Sequence, residues 1–253
     1  MGKIRRSPWT RSRTIDLSGK AILALWNGVD PAVRHEYDAW HSREHVPERI
    51  SVPGMIGARR YRRVDGPLPE YLTLYDLRDT GVLESAPYRR LLDNPTDWSA
   101  SMRPHFRGFM RLCGRLIASH GGGLGGAVAA LMVDDAVDLE DRQLHAALAR
   151  LLTRPPFIAV HVIQRDAGVP DVPFRIGGEA PNFPRDGAIL IESYGEDALF
   201  EAMAGLLAAL SDAGVPAPEK TLTVYRLAHA LSSDTLDRMV MLHRSDFLQS
   251  GEQ

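Results

Sequence analysis

Along the chain, short apolar runs with strand-like alternation are separated by stretches whose apolar positions recur at helical spacing. KAILALWNGV, from Lys20 to Val29, is a strand-like run bounded by Gly19 and by the turn residues Gly28 and Asp30. Asp30 as N-cap and Pro31 at the first helical position then open a helix that runs to about Ile50 and stops before Pro53-Gly54. Pro47 lies inside that pattern, so a break is expected just after His45. Strands follow at Met55–Val64 and Glu70–Leu77, helical segments at Gly81–Asp93 and Pro95–Met102, and a long strand at Phe106–Ser119. The order is β-α-β-β-α-β, a ferredoxin-like unit.

The glycine-rich stretch HGGGLGG, residues 120–126, lacks the strand-then-helix context of a dinucleotide fingerprint and reads as a connector. Beyond it the order repeats more faintly. Strands are expected at Ala127–Val133, Phe157–Arg165, Gly187–Tyr194 and Lys220–His229, and helices at Leu139–Leu152 and Asp197–Asp212, with the proline-rich loop VPDVPFRIGGEAPNFP between the middle two strands. The expected organisation is an α+β chain of two tandem ferredoxin-like units, 20–119 and 127–230. They are joined by the 120–126 linker and flanked by a basic arm (1–19) and a tail (231–253) that begins with a Ser233-Asp234 cap.

Two histidines one helical turn apart, His41 and His45, share a helix face with Asp38. Histidine titrates nearest neutrality, so such a pair suits proton transfer; solvated or core histidines are the plain alternative. Tyr37 and Trp40 fall on the buried stripe, and Trp40 is also a candidate wall of a pocket. On the strand after the turn, MIGARRYRRV places arginines on both faces. Either it is an edge strand shielded by charge, or Arg59 or Arg60 meets an oxygen of a ligand. The second half offers no counterpart of the histidine pair. His161, on a strand, either faces the same cavity or is a buried structural histidine.

Charge changes the picture little: the net charge of -2 gives no global reason to expect nucleic acid or an anionic membrane as partner. The single cysteine, Cys113, excludes an intrachain disulfide and a cysteine-cluster metal site, and it lies in a strand-like apolar run. The basic N-terminus lacks the apolar core of a secretory signal. No segment reaches the roughly 18 apolar residues of a membrane span, and a cytoplasmic protein is expected.

WHSREHVPERISVPGMIGARRY, Trp40 to Tyr61, with its Glu44-His45-Val46-Pro47 element and Pro53-Gly54 turn, resembles the signature of EthD-like proteins of the dimeric α+β barrel superfamily. NPTDWSASMRPHFRGFMR, residues 94–111, is similar to the region before the last strand in such proteins. The resemblance implies two ferredoxin-like sheets packed into a barrel, across a homodimer or within a tandem pseudo-dimer. It further implies a pocket between sheet and helices, and cofactor-free chemistry on hydrophobic, often aromatic or polyketide-like molecules: cyclisation, isomerisation, elimination or oxygenation. His45 matches the histidine of that motif.

The function expected is therefore a cofactor-independent lyase or isomerase acting on a small hydrophobic, aromatic or polyketide-like substrate. His45 would be the acid/base, His41 the second proton carrier or substrate hydrogen-bond partner, and Asp38 or Glu44 the group that orients an imidazole. Arg59 and Tyr61 would stabilise an oxyanion. Two alternatives stand beside it. HSREH matches the H-x-x-E-H string of inverted zinc peptidases, making His41, Glu44 and His45 a metal site, although no third ligand is evident. A non-catalytic small-molecule carrier is the other.

Overall fold

The apolar runs form strands, and each strand is paired on both sides. β1 (Ala21–Val29), β2 (Met55–Arg63), β3 (Tyr71–Leu77) and β4 (Phe106–Gly121) come from the first half; β5 (Ala127–Val133), β6 (Phe157–Arg165), β7 (Gly187–Ser193) and β8 (Leu222–Ser232) come from the second. The structure is a computed structural model and describes residues 17–169 and 186–250. The arm before residue 17 and the proline-rich loop from residue 170 lie outside the described residues.

Each half has the ferredoxin-like spatial order, β4–β1–β3–β2 and β8–β5–β7–β6. Two antiparallel seams join the halves. Along one, Gly57 of β2 lies opposite Ser232 of β8; along the other, Gly114 of β4 lies opposite Arg165 of β6. The eight strands thus form one closed barrel within a single chain, which leaves no sheet edge to protect. The reading of β2 as an edge strand shielded by arginines is corrected: β3 flanks it on one side and β8 on the other.

Because side chains alternate across a strand, every strand sends one set inward and one outward. Trp26, Tyr61, Leu72, Met110, Val128 and Leu190 meet inside the barrel. Outside, Leu23, Ala58 and Tyr75 of the first half pack under helices, and Ala129, Leu131 and Ile191 do so in the second half. Burying each large apolar side chain stabilises by about 1.5–3 kcal/mol, so the fold rests on three packed layers.

The helices begin where the capping residues stand. Asp30 caps the turn at Pro31–Val33 that leads into α1 (Arg34–Trp40). Ser85 caps α3 (Ala86–Asp93), Thr96 caps α4 (Asp97–Met102) and Asp141 caps α5 (Arg142–Leu151), each accepting a backbone N–H. The single helix expected at Asp197–Asp212 is two, α6 (Glu196–Glu201) and α7 (Met203–Asp212). In the tail, Ser232 rather than Ser233 caps a 3-10 turn at Ser233–Arg238. Then α8 (Arg244–Ser250) lays Phe247 against Trp98 at 5.6 Å and His35 at 5.5 Å. No described helix is long and apolar enough to cross a membrane.

Candidate active site

The histidine-bearing helix does not break. α1 passes into one π turn, His41–His45, and continues as α2 (Val46–Ile50). The Val46 N–H reaches back five residues to the His41 carbonyl. Pro47 has no N–H to give, and the Arg43 carbonyl four residues before it accepts instead from the Leu242 N–H of the tail at 3.5 Å. The break expected after His45 is thus replaced by a widened turn, a feature that recurs at functional sites. The helix ends at the Pro53-Gly54 turn, where Gly54 adopts φ +98°, a conformation glycine takes without strain.

Beneath this helix, against the outer face of the first-half sheet, lies a cavity of about 80 Å³ lined by both histidines. Their ring centroids are 5.5 Å apart. Trp40 holds His45 from one side, ring to ring at 4.4 Å, and is itself fixed by donating from Nε1 to Ser99 Oγ at 3.2 Å. His41 Nε2 lies 3.4 Å from Thr73 Oγ1. In both imidazoles Nδ1 is buried without a hydrogen-bond partner. Asn27 and Tyr37, bonded to one another at 3.1 Å, form the buried end. Half-buried Leu92, Arg103, Phe109 and Arg111 form the other.

Both imidazoles are held neutral. Burial pushes the His41 pKa well below the usual histidine value, and the charges of Arg60, His45 and His229 add to it. Burial does the same to His45, reinforced by Arg49 and Arg103. A neutral imidazole offers one N–H donor and one basic nitrogen, so the pair can take a proton and support a developing oxyanion.

The structure gathers His41, His45 and Trp40 at the cavity and separates the other expected residues from it. Asp38 pairs with Arg60, and Glu44 accepts from Thr96 Oγ1 at 2.6 Å; neither orients an imidazole. Arg59 and Tyr61 point the opposite way, into the barrel. There Arg59 pairs with Glu192, whose Oε1 lies 3.5 Å from His161 Nε2, and His161 Nδ1 lies 2.8 Å from Ser119 Oγ. Arg59 and Tyr61 are displaced by the parity of β2: Ala58 and Arg60 face the helices, whereas Arg59 and Tyr61 face the interior. Arg60 lies between the Tyr37 and Tyr71 rings, 4.9 and 4.4 Å from their centroids.

Sequence reasoning gave no role to Asn27, Thr73, Arg49, Arg103 or Arg111. Asn27 and Thr73 carry a signal, since each is a polar residue in an otherwise apolar strand. With Glu44 turned to Thr96, the H-x-x-E-H string does not present its three side chains to one point. Among the described residues, no three His, Cys, Asp or Glu side chains are grouped to hold a metal ion. Cys113 is buried on β4, and burial pushes its thiol up to about 11.

No protein-family model matches the chain, and no curated protein does. Solved structures do. An anthrone oxidase-like protein shares 14% identity over 86% of this chain and 95% of its own, with a TM-score of 0.57. A candidate monooxygenase from Fusobacterium nucleatum shares 9% over 85% and 95%, with a TM-score of 0.51. A chlorite dismutase variant from Candidatus Nitrospira defluvii shares 11% over 88% and 96%, with a TM-score of 0.50. At such identities the likeness is one of fold.

Proposed function

We propose, from the premise that this chain has the dimeric α+β barrel fold closed within one polypeptide, that it is a cofactor-free enzyme that abstracts a proton from an activated carbon of a small aromatic or polyketide-like molecule. The observation that carries this reading is the pair of neutral, partly unsatisfied imidazoles side by side in one cavity. His45 acts as the base. His41, nearer the buried end and Thr73, donates an N–H to the oxygen on which charge accumulates, as a neutral imidazole with a lowered pKa can.

An imidazole with a depressed pKa is a weak base, so the substrate must be a strong carbon acid: a C–H next to a carbonyl and conjugated with a ring. Return of the proton to another carbon gives isomerisation, and loss of a neighbouring group gives elimination. The oxidase and monooxygenase names of the fold neighbours fit a third fate, capture of the same carbanion by dioxygen. A porphyrin does not fit here. The cavity of about 80 Å³ is far below the roughly 300 Å³ at which pockets for drug-sized ligands begin, and the Trp40 ring covers His45.

The test is solvent exchange. Single-ring aryl ketones are incubated with the protein in D₂O and deuterium incorporation is followed by NMR. Incorporation is expected with the wild type, near background with His45→Ala and reduced with His41→Asn. Exchange that survives in His45→Ala would sink the reading. Binding without exchange by any panel member would favour the carrier.

A further inference from the structure

We propose that Arg49, Arg103 and Arg111 form an anion subsite in the His41/His45 cavity and that it takes the carboxylate of a carboxylated substrate; this deepens, and rests on, the acid/base reading of the same cavity. Three guanidiniums line a cavity of about 80 Å³, and none of the described residues lining it is acidic. Among the other buried arginines described, Arg59 pairs with Glu192 and Arg60 with Asp38, although Arg60 Nε is likewise buried without a hydrogen bond. Arg49 is not matched in that way. It is 6% exposed, and its Nη1 is buried without a hydrogen bond. The nearest acid is Glu48 on its own helix, with Oε2 at 3.5 Å and likewise without a hydrogen bond. A buried guanidinium so poorly satisfied is costly to keep, and a ligand oxygen would relieve it.

Two further guanidiniums line the same cavity. Burial and the charge of Arg49 lower the Arg103 pKa, and the Glu48 carboxylate opposes the shift. Arg103 Nη2 donates to the Leu92 carbonyl at 3.5 Å, which anchors it at the half-buried end, and Arg111 lies there beside Tyr88. A planar carboxylate suits guanidinium forks, which can each offer two parallel N–H groups. The cavity accepts a carboxylate with its attached carbons, while the rest of a ring extends past Leu92 and Phe109.

Such a ligand would also act on the base. Arg49 and Arg103 are the charges that, after burial, hold the His45 pKa down. A carboxylate set between them cancels part of that field and strengthens His45 as a base only when the right substrate is present. Specificity and activation would then share one contact.

The experiment is calorimetric titration with benzoate, its neutral isostere benzamide, and sulfate. Benzoate is expected to bind at least about tenfold tighter than benzamide, the worth of one charge-assisted hydrogen bond. Arg103→Gln and Arg111→Gln should each weaken benzoate by about tenfold and leave benzamide unchanged, with thermal melts confirming that both variants fold. The His45 imidazole, followed by NMR, should titrate at higher pH with benzoate bound. His45→Ala removes the base and leaves all three guanidiniums, so benzoate binding persists in it. Loss of exchange there with binding intact upholds both readings; retained exchange with binding intact sinks the acid/base reading alone. Equal binding of benzamide, equal competition by sulfate, no binding of benzoate at millimolar concentration, or indifference to both arginine substitutions overturns the subsite.

Discussion

Arg59 and Arg60 are consecutive on β2, yet one guanidinium lies inside the barrel on Glu192 and the other outside it, beneath the histidine helix, on Asp38. The Arg59–Glu192 pair crosses from a first-half strand to a second-half strand, and Glu192 also accepts from the Gly125 N–H at 2.5 Å. A single charged contact thus ties β2, β7 and the glycine-rich connector together in the core.

Removing one partner strands the other in an apolar interior, which costs about 3–5 kcal/mol. Arg59→Met and Glu192→Leu are each expected to lose stability of that order in urea titrations. The double variant should lose less than the sum, because no charge is left unpaired. Additive losses would show that the two residues are not coupled.

Arg60 acts on the site through its field. Its charge is the largest contribution after burial to the lowered His41 pKa, and it does not figure among the causes for His45. Arg60→Met should therefore raise the His41 pKa and leave that of His45 nearly unmoved. Imidazole resonances followed through a pH titration check both halves of the statement.

Stability should fall on acidification below about pH 6.5, the ordinary histidine value. Both histidines have folded-state pKa values below it, so between the two values the unfolded chain binds protons that the folded chain refuses, and folding weakens as pH drops. Above that range the histidines contribute no slope. Melting temperatures between pH 7.5 and 5 should decline less steeply in His41→Asn than in the wild type. The comparison matters because burial raises the pKa of Glu48 and Asp76, which act with the opposite sign.

Cys113 should stay silent towards a thiol reagent such as Ellman's in the folded protein at pH 8 and react fully once denatured, since its thiol is buried and pushed up to about 11. Rapid native labelling would refute its placement.

The strands and their order were legible because apolar runs between Gly, Pro and Asp punctuation have a length and period that constrain them. Ala127–Val133 and Phe157–Arg165 appear with the bounds their residues suggested. The facing of β2 was not legible. MIGARRYRR alternates no hydrophobic pattern that would separate its faces, and the bulge between Met55 and Gly57 shifts the register against β3. Choosing Arg59 over Arg60 was therefore a choice the residues did not constrain. The π turn was hidden as well, because Pro47 signals only a missing donor, and its accommodation depends on Leu242, far away in the sequence. His41 and His45 were legible since a spacing of four places them on one side of either kind of turn closely enough to meet.

Closure of the barrel inside one polypeptide sets how such a protein can change. In a barrel assembled from two identical subunits every substitution is written twice, and both layers of helices stay alike. Here the second layer packs Leu144, Leu148, Leu199, Leu206 and Leu210 against its sheet, while the first half sets His41, His45 and Thr73 around a cavity. The two halves are free to drift apart, and among the described residues only the first sets a pair of its own histidines side by side.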